Sequence, residues 1–114
     1  MGDKETRKFL RAIETFRRLD LTMPSQAIAA FLFIASRRDC TVKDVEKFLG
    51  LGSSATSRNM KILRDEEYTD RNNTKSGLGL ITTEFDAHDA RRKLPKLTQK
   101  GEKLLADLED IILS

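Results

Sequence analysis

The sequence predicts a mainly α, α+β fold: a winged helix-turn-helix with a two-stranded β-hairpin wing and flanking N- and C-terminal helices. Three observations carry that prediction. Two short helical patterns meet across the glycine turn "GLGS" at 50–53, the sequence form of a helix-turn-helix. An alternating stretch, "LITTEF", then leads through a polar turn into "RKLPKL", which reads as two short strands. A last helical pattern starts at once after the second strand. At 114 residues the chain is long enough for one modest core. We therefore read residues 1–114 as a single domain, with the helix-turn-helix at about 42–66, the wing at about 79–98 and the C-terminal helix at about 99–113.

Each element follows from its own residues. Phe9, Ile13, Phe16 and Leu19 recur at steps of four, three and three, which predicts an amphipathic helix over 3–20. Pro24 suits the first turn of a second helix. Ile28, Ala29, Phe31, Leu32 and Ile34 make that helix apolar on nearly all sides, so it belongs at the centre of the core. Thr41 and Asp44 fit a capping box for a short third helix with Val45, Phe48 and Leu49 on its apolar side. Gly50 or Gly52 ends it. In the fourth helix, "SSATSRNMKILRDEE", Thr56, Met60 and Leu63 face the core. Residues 66–78 are polar and carry no period, so they read as a loop; Arg71, Asn72, Asn73 and Lys75 are residue types that touch a DNA backbone. Thr98 caps the final helix, whose stripe is Leu104, Leu105, Leu108 and Ile111 or Ile112.

Composition narrows the functional classes. A net charge of +3 permits a nucleic-acid partner without requiring one. Cys40 is the sole cysteine, so no intrachain disulfide forms and a reducing, cytoplasmic setting is expected. The N-terminus is polar and lacks the apolar run of a secretory leader, and the longest apolar stretch, Ala27 to Ala35, is too short to span a bilayer. His88 is the only histidine and has no second ligand near it, so no metal site and no cofactor are expected. The carboxylates Glu66, Glu67, Asp107, Glu109 and Asp110 accompany neither a nucleophile nor a phosphate loop, which argues against an enzyme.

Two stretches point to DNA. Ser54, Arg58 and Lys61 share one face of the fourth helix, with Ser53, Ser57 and Arg64 beside them. Small hydroxyls let a helix approach the major groove closely, and an arginine reaches guanine N7 and O6. The amides at the start of this helix favour phosphate. Arg91, Arg92, Lys93 and Lys96 then place four cations on one flank of the hairpin. An arginine at a hairpin tip fits the electronegative minor groove, and Asp89 is placed to hold Arg91. Pro95 is compatible with a strand at a sheet edge. Each stretch alone also reads as a solvated charged surface; their succession favours DNA.

Taken together, these motifs make the chain resemble the MarR family of winged helix-turn-helix transcription regulators. The resemblance lies in "LTMPSQAIAAFLF", "TVKDVEKFLGLGSSATSRNMKIL" and, above all, Gly79-Leu80-Ile81, Asp89-Ala90-Arg91 and Leu97-Thr98-Gln99-Lys100-Gly101. It implies a recognition helix from about Ser53 to Asp65, Arg91 as the wing arginine in the minor groove, and a homodimer on double-stranded DNA, usually a repressor, joined through the N- and C-terminal helices. Two features depart from the family pattern: the long segment from Glu66 to Leu78, and one C-terminal helix where two are common. The resemblance leaves the effector unknown. A winged-helix protein–protein interaction module, or a phage or plasmid replication or control DNA-binding protein, is the alternative.

Overall fold

A computed structural model of the chain describes residues 2–70 and 72–114. Five helices and two hairpins follow in order: α1 (Asp3–Leu19), α2 (Ser25–Ser36), α3 (Val42–Leu49), α4 (Ser53–Leu63), β1 (Glu67–Asp70), β2 (Asn73–Ser76), β3 (Ile81–Phe85), β4 (Lys93–Leu97) and α5 (Gln99–Leu113). Five helices with a winged-helix hairpin make up the predicted architecture.

Helix α2 is the centre of the core because four of its apolar residues, Ala27, Ala30, Phe31 and Ile34, are fully enclosed. Phe31 meets Phe16 of α1 edge to face, with ring centroids 6.1 Å apart. Val45 from α3, Met60 and Leu63 from α4, Leu80 and Ile81 at the wing root, and Leu104 and Leu108 from α5 close around them. Pro24 sits one position before α2 rather than inside its first turn. Phe48 departs further from expectation: it is 54% exposed and stacks on Phe33, 4.4 Å away, outside the core.

The helix-turn-helix is fixed by local chemistry. The Thr41 hydroxyl accepts from the Asp44 amide at 3.1 Å, and the Thr41 amide donates to Asp44 Oδ2 at 2.8 Å, closing the capping box. Those bonds hold the Asp44 carboxyl below the ordinary range, the Thr41 amide being the main cause. Gly50 ends α3 in the left-handed region at φ +67°, where a side chain would be strained.

Residues 66–78 overturn the expectation of an irregular loop. β1 and β2 pair antiparallel, from Glu67 opposite Ser76 to Asp70 opposite Asn73, and Asn72 adopts φ +68° in the link. The strands were illegible because their residues are polar on both faces, and alternation shows in a sequence only when one face is apolar. This hairpin is rooted on the end of α4: Gly77 donates its amide to Glu66 O at 2.6 Å and Leu78 to Ile62 O at 2.9 Å.

The second hairpin, β3–β4, is the wing, with Ile81 opposite Leu97 and Phe85 opposite Lys93. Its root is welded in: Leu80 donates to Leu63 O at 2.8 Å, and Thr98 donates its amide to Leu80 O at 3.0 Å. Thr98 also caps α5, its hydroxyl accepting from the Gly101 amide at 3.1 Å. Gly101 is required because a Cβ there would lie 2.1 Å from Leu80 O. β4 is a sheet edge, where proline is tolerated, yet Pro95 is fully buried, and β4 packs against α2, α3 and α5.

Candidate nucleic-acid interface

The fold presents two exposed basic surfaces, the outer face of α4 and the basic flank of the wing. Thr56, Asn59, Met60, Ile62 and Leu63 turn α4 inward, which leaves Ser53, Ser54, Ser57, Arg58 and Lys61 exposed on the other side. Asn59 is a structural residue missed by the hydrophobic pattern. It is buried, and its amide donates to Gln26 Oε1 at 3.1 Å and to Ala55 O at 2.9 Å, tying α4 to α2. Gly52 precedes α4 and gives it no side-chain cap, so the first-turn N–H groups near Ser53 and Ser54 keep their donor capacity.

Arg64 behaves differently from the other basic residues of this segment. It ends α4 in an extended conformation, and its side chain turns back beneath the wing, 23% exposed. Nη1 donates to Thr83 Oγ1 at 3.1 Å and Nη2 to Glu66 Oε2 at 3.3 Å. The structure therefore brings Arg58 and Lys61 together on one exposed face and takes Arg64 away from them.

At the wing tip two aspartates organise the turn. Asp89 Oδ1 accepts from the Arg91 amide at 3.0 Å and from its Nε at 3.2 Å. These bonds, the backbone one first, lower the Asp89 carboxyl below its ordinary range. The Arg91 side chain is 92% exposed, so the aspartate aims it without covering it. Asp86 pairs with Arg92 at 3.0 Å and accepts from the His88 amide at 2.8 Å. Its signal was legible: an aspartate two residues before a turn amide is a common loop-closing arrangement. Lys93 opens β4 and is exposed. Lys96, by contrast, is half-buried and donates to Arg38 O at 3.1 Å.

Between the wing flank and the start of α3 lies a cleft of about 470 Å³, lined by Thr41, Val42, Lys43, Asp89 and the run Arg91 to Lys93. Lys43 was not singled out in the sequence, yet it joins the wing cations here on the first turn of α3. Arg71 lies outside the described residues. Among the described residues, no group of His, Cys, Asp and Glu is placed to hold a metal ion, and no helix is long and apolar enough to cross a membrane.

Away from this surface, Phe9, Leu10 and Ile13 of α1 and Ile112 and Leu113 of α5 are exposed. Lys8 of α1 donates to Ile112 O at 3.0 Å and holds the two helices together at this end.

Solved structures share this architecture. The DNA complex of Staphylococcus aureus MepR matches with a TM-score of 0.68 and 21% identity, over 95% of this chain and 77% of that one. A MarR transcriptional regulator from Methanosarcina mazei Go1 matches at 0.65 and 16%, over 96% and 68%. The PcaV transcriptional regulator of Streptomyces coelicolor matches at 0.60 and 19%, over 96% and 72%. No protein-family model matches the sequence, and no curated protein matches it. The chain thus has the fold of MarR-type winged-helix regulators.

Proposed function

We propose that this protein is a sequence-specific double-stranded DNA-binding transcriptional regulator, not an enzyme, that acts in the cytoplasm as a homodimeric repressor. The observation that carries the reading is that one fold exposes both the Ser54–Arg58–Lys61 face of α4 and the Arg91–Lys93 flank of the wing. MepR carries the same fold in a structure described as a DNA complex, which supports this use of it.

In this reading Ser53, Ser54 and Ser57 let α4 lie close in the major groove, and Arg58 reads a base edge. Lys61 and Lys93 neutralise phosphates, and Arg91, aimed by Asp89, enters the minor groove. Lys43 and the wing cations cradle the intervening backbone in their shared cleft. The exposed apolar residues at the α1–α5 end supply the dimer contact. A two-fold dimer sets two α4 helices about 34 Å apart, one DNA turn, and occlusion of polymerase gives repression.

Selection of bound duplexes from a random pool, with the solution mass measured alongside, tests all of this. The expected outcome is a pseudo-palindromic site and a mass near twice 13.0 kDa. Arg58→Ala should lower affinity for the selected site by about tenfold or more while leaving random duplex binding nearly unchanged. Lys93→Ala should weaken both alike and reduce the slope of log affinity against log salt by about 0.9. Absence of duplex affinity at low salt overturns the proposal.

A further inference from the structure

Arg64 differs from Arg58 and Lys61 of α4, which are exposed, because its guanidinium is bonded within the protein. We infer that Arg64 is a positioning residue that sets the angle between α4 and the wing, so that both reach one duplex in register. The inference rests on the DNA-binding reading and adds to it a determinant of specificity that touches no DNA.

The geometry is that of a brace across an elbow. The backbone already joins α4 to the wing root through the Leu80 amide and Leu63 O. Arg64 adds a second tie farther out, to Thr83 in the middle of β3. Thr83 lies opposite Pro95, the last residue of the wing's inward row to be buried, whereas Phe85, next in that row, is 66% exposed. Beyond Thr83 the ribbon stands clear of the core, and three further residues carry the chain about 10 Å to the turn. A small tilt at Thr83 is therefore amplified at Arg91.

Chemistry explains why an arginine occupies the elbow. Its planar fork donates in two fixed directions, to Thr83 and to Glu66, where a lysine offers a rotating point charge. The Nε–H is buried and has no partner, so this edge of the guanidinium is closed to an incoming phosphate. Gly77 clamps the same residue from the backbone side, since a Cβ there would lie 1.6 Å from Arg64 O. Both the side chain and the carbonyl of Arg64 are thus held.

Arg64→Gln and Thr83→Val, alone and together, supply the test, each measured against selected and random duplexes over a salt series. Each single change should narrow the ratio of selected to random affinity by about fivefold. The double change should be no worse than either single one, and the salt slope should stay at the wild-type value. If Arg64→Gln lowers the slope by about 0.9 while Thr83→Val has no effect, Arg64 is a phosphate ligand and the inference fails. Residual dipolar couplings of wing amides, referenced to α4 in the free protein, give a readout that needs no DNA. They should change in both variants; unchanged couplings overturn the brace. Thr83→Val removes one hydroxyl and keeps the shape of a half-buried side chain, so it keeps the test open if Arg64→Gln impairs folding. A wild-type chain that binds no duplex refutes the DNA reading, and the couplings still decide the brace.

Discussion

Among the described residues two antiparallel hairpins, with strands of four and five residues respectively, are held in opposite ways. The wing, β3–β4, begins with Leu80 and Ile81 in the core, buries Pro95 on a strand packed against α2, α3 and α5, and runs into α5 through the Thr98 cap. The β1–β2 hairpin packs chiefly on α4 and is rooted by backbone hydrogen bonds and by the fit of Gly77. Pairing between strands is the same in both. What separates them is whether apolar side chains anchor the root, and a two-stranded ribbon needs such an anchor to hold a fixed direction.

That comparison can be broken at its strongest point first. Leu80→Ala removes a fully buried side chain from the wing root and should cost about 2–5 kcal/mol, read from urea unfolding at unchanged slope. An effect confined to the wing, with the helical signal intact, would mean that the root is not part of the core. Gly77→Ala comes next. Its methyl meets backbone oxygen, so overpacking of about 1–3 kcal/mol is expected. Faster amide exchange at β1 and β2, with β3 and β4 still protected, should accompany that loss. Equal loosening of both hairpins would show that they share a root.

The smallest effect sharpens the comparison through pH. Arg38 donates to both oxygens of Glu102, at 2.7 and 2.9 Å, and ties α5 to the end of α2 behind the wing. Its bonds lower the Glu102 carboxyl below the ordinary range. A depressed folded-state pKa means that the pair stabilises the fold above the ordinary glutamate pKa, about 4.3, and stops doing so as pH falls through the lower folded value. Glu102→Gln should therefore shift the urea midpoint slightly at pH 7, and the gap from wild type should close in acid. A gap that persists in acid would assign the effect to packing rather than charge.

Where apolar residues mark one face of an element, the sequence was a good guide. The capping box at Thr41 and Asp44, the inward row of Thr56, Met60 and Leu63, and the Thr98 cap were all legible, because each depends on residues within one or two turns. The β1–β2 hairpin was not, since polar residues on both faces erase the period of two. The burial of Pro95 was hidden as well, because β4 packs on helices far back in the chain, α2 and α3 among them. Within the candidate site, which side chains lie exposed on α4 could be read from spacing. The turn of Arg64 toward Thr83 could not, because it arises where the helix ends and spacing on a helical wheel no longer applies.

Cys40 links α2 to α3 just before the capping box, is 1% exposed, and has a thiol pushed above its ordinary pKa chiefly by burial. As a buried protonated thiol it is a poor nucleophile, so the native chain should resist alkylation. Being the only sulfhydryl in the sequence, it then serves as a clock. Each alkylated molecule records one opening of the corner on which the wing strand rests. The dependence of that rate on denaturant distinguishes local breathing of this corner from complete unfolding. A buried cysteine with no assigned role thus provides a built-in probe of how often the wing loses its support.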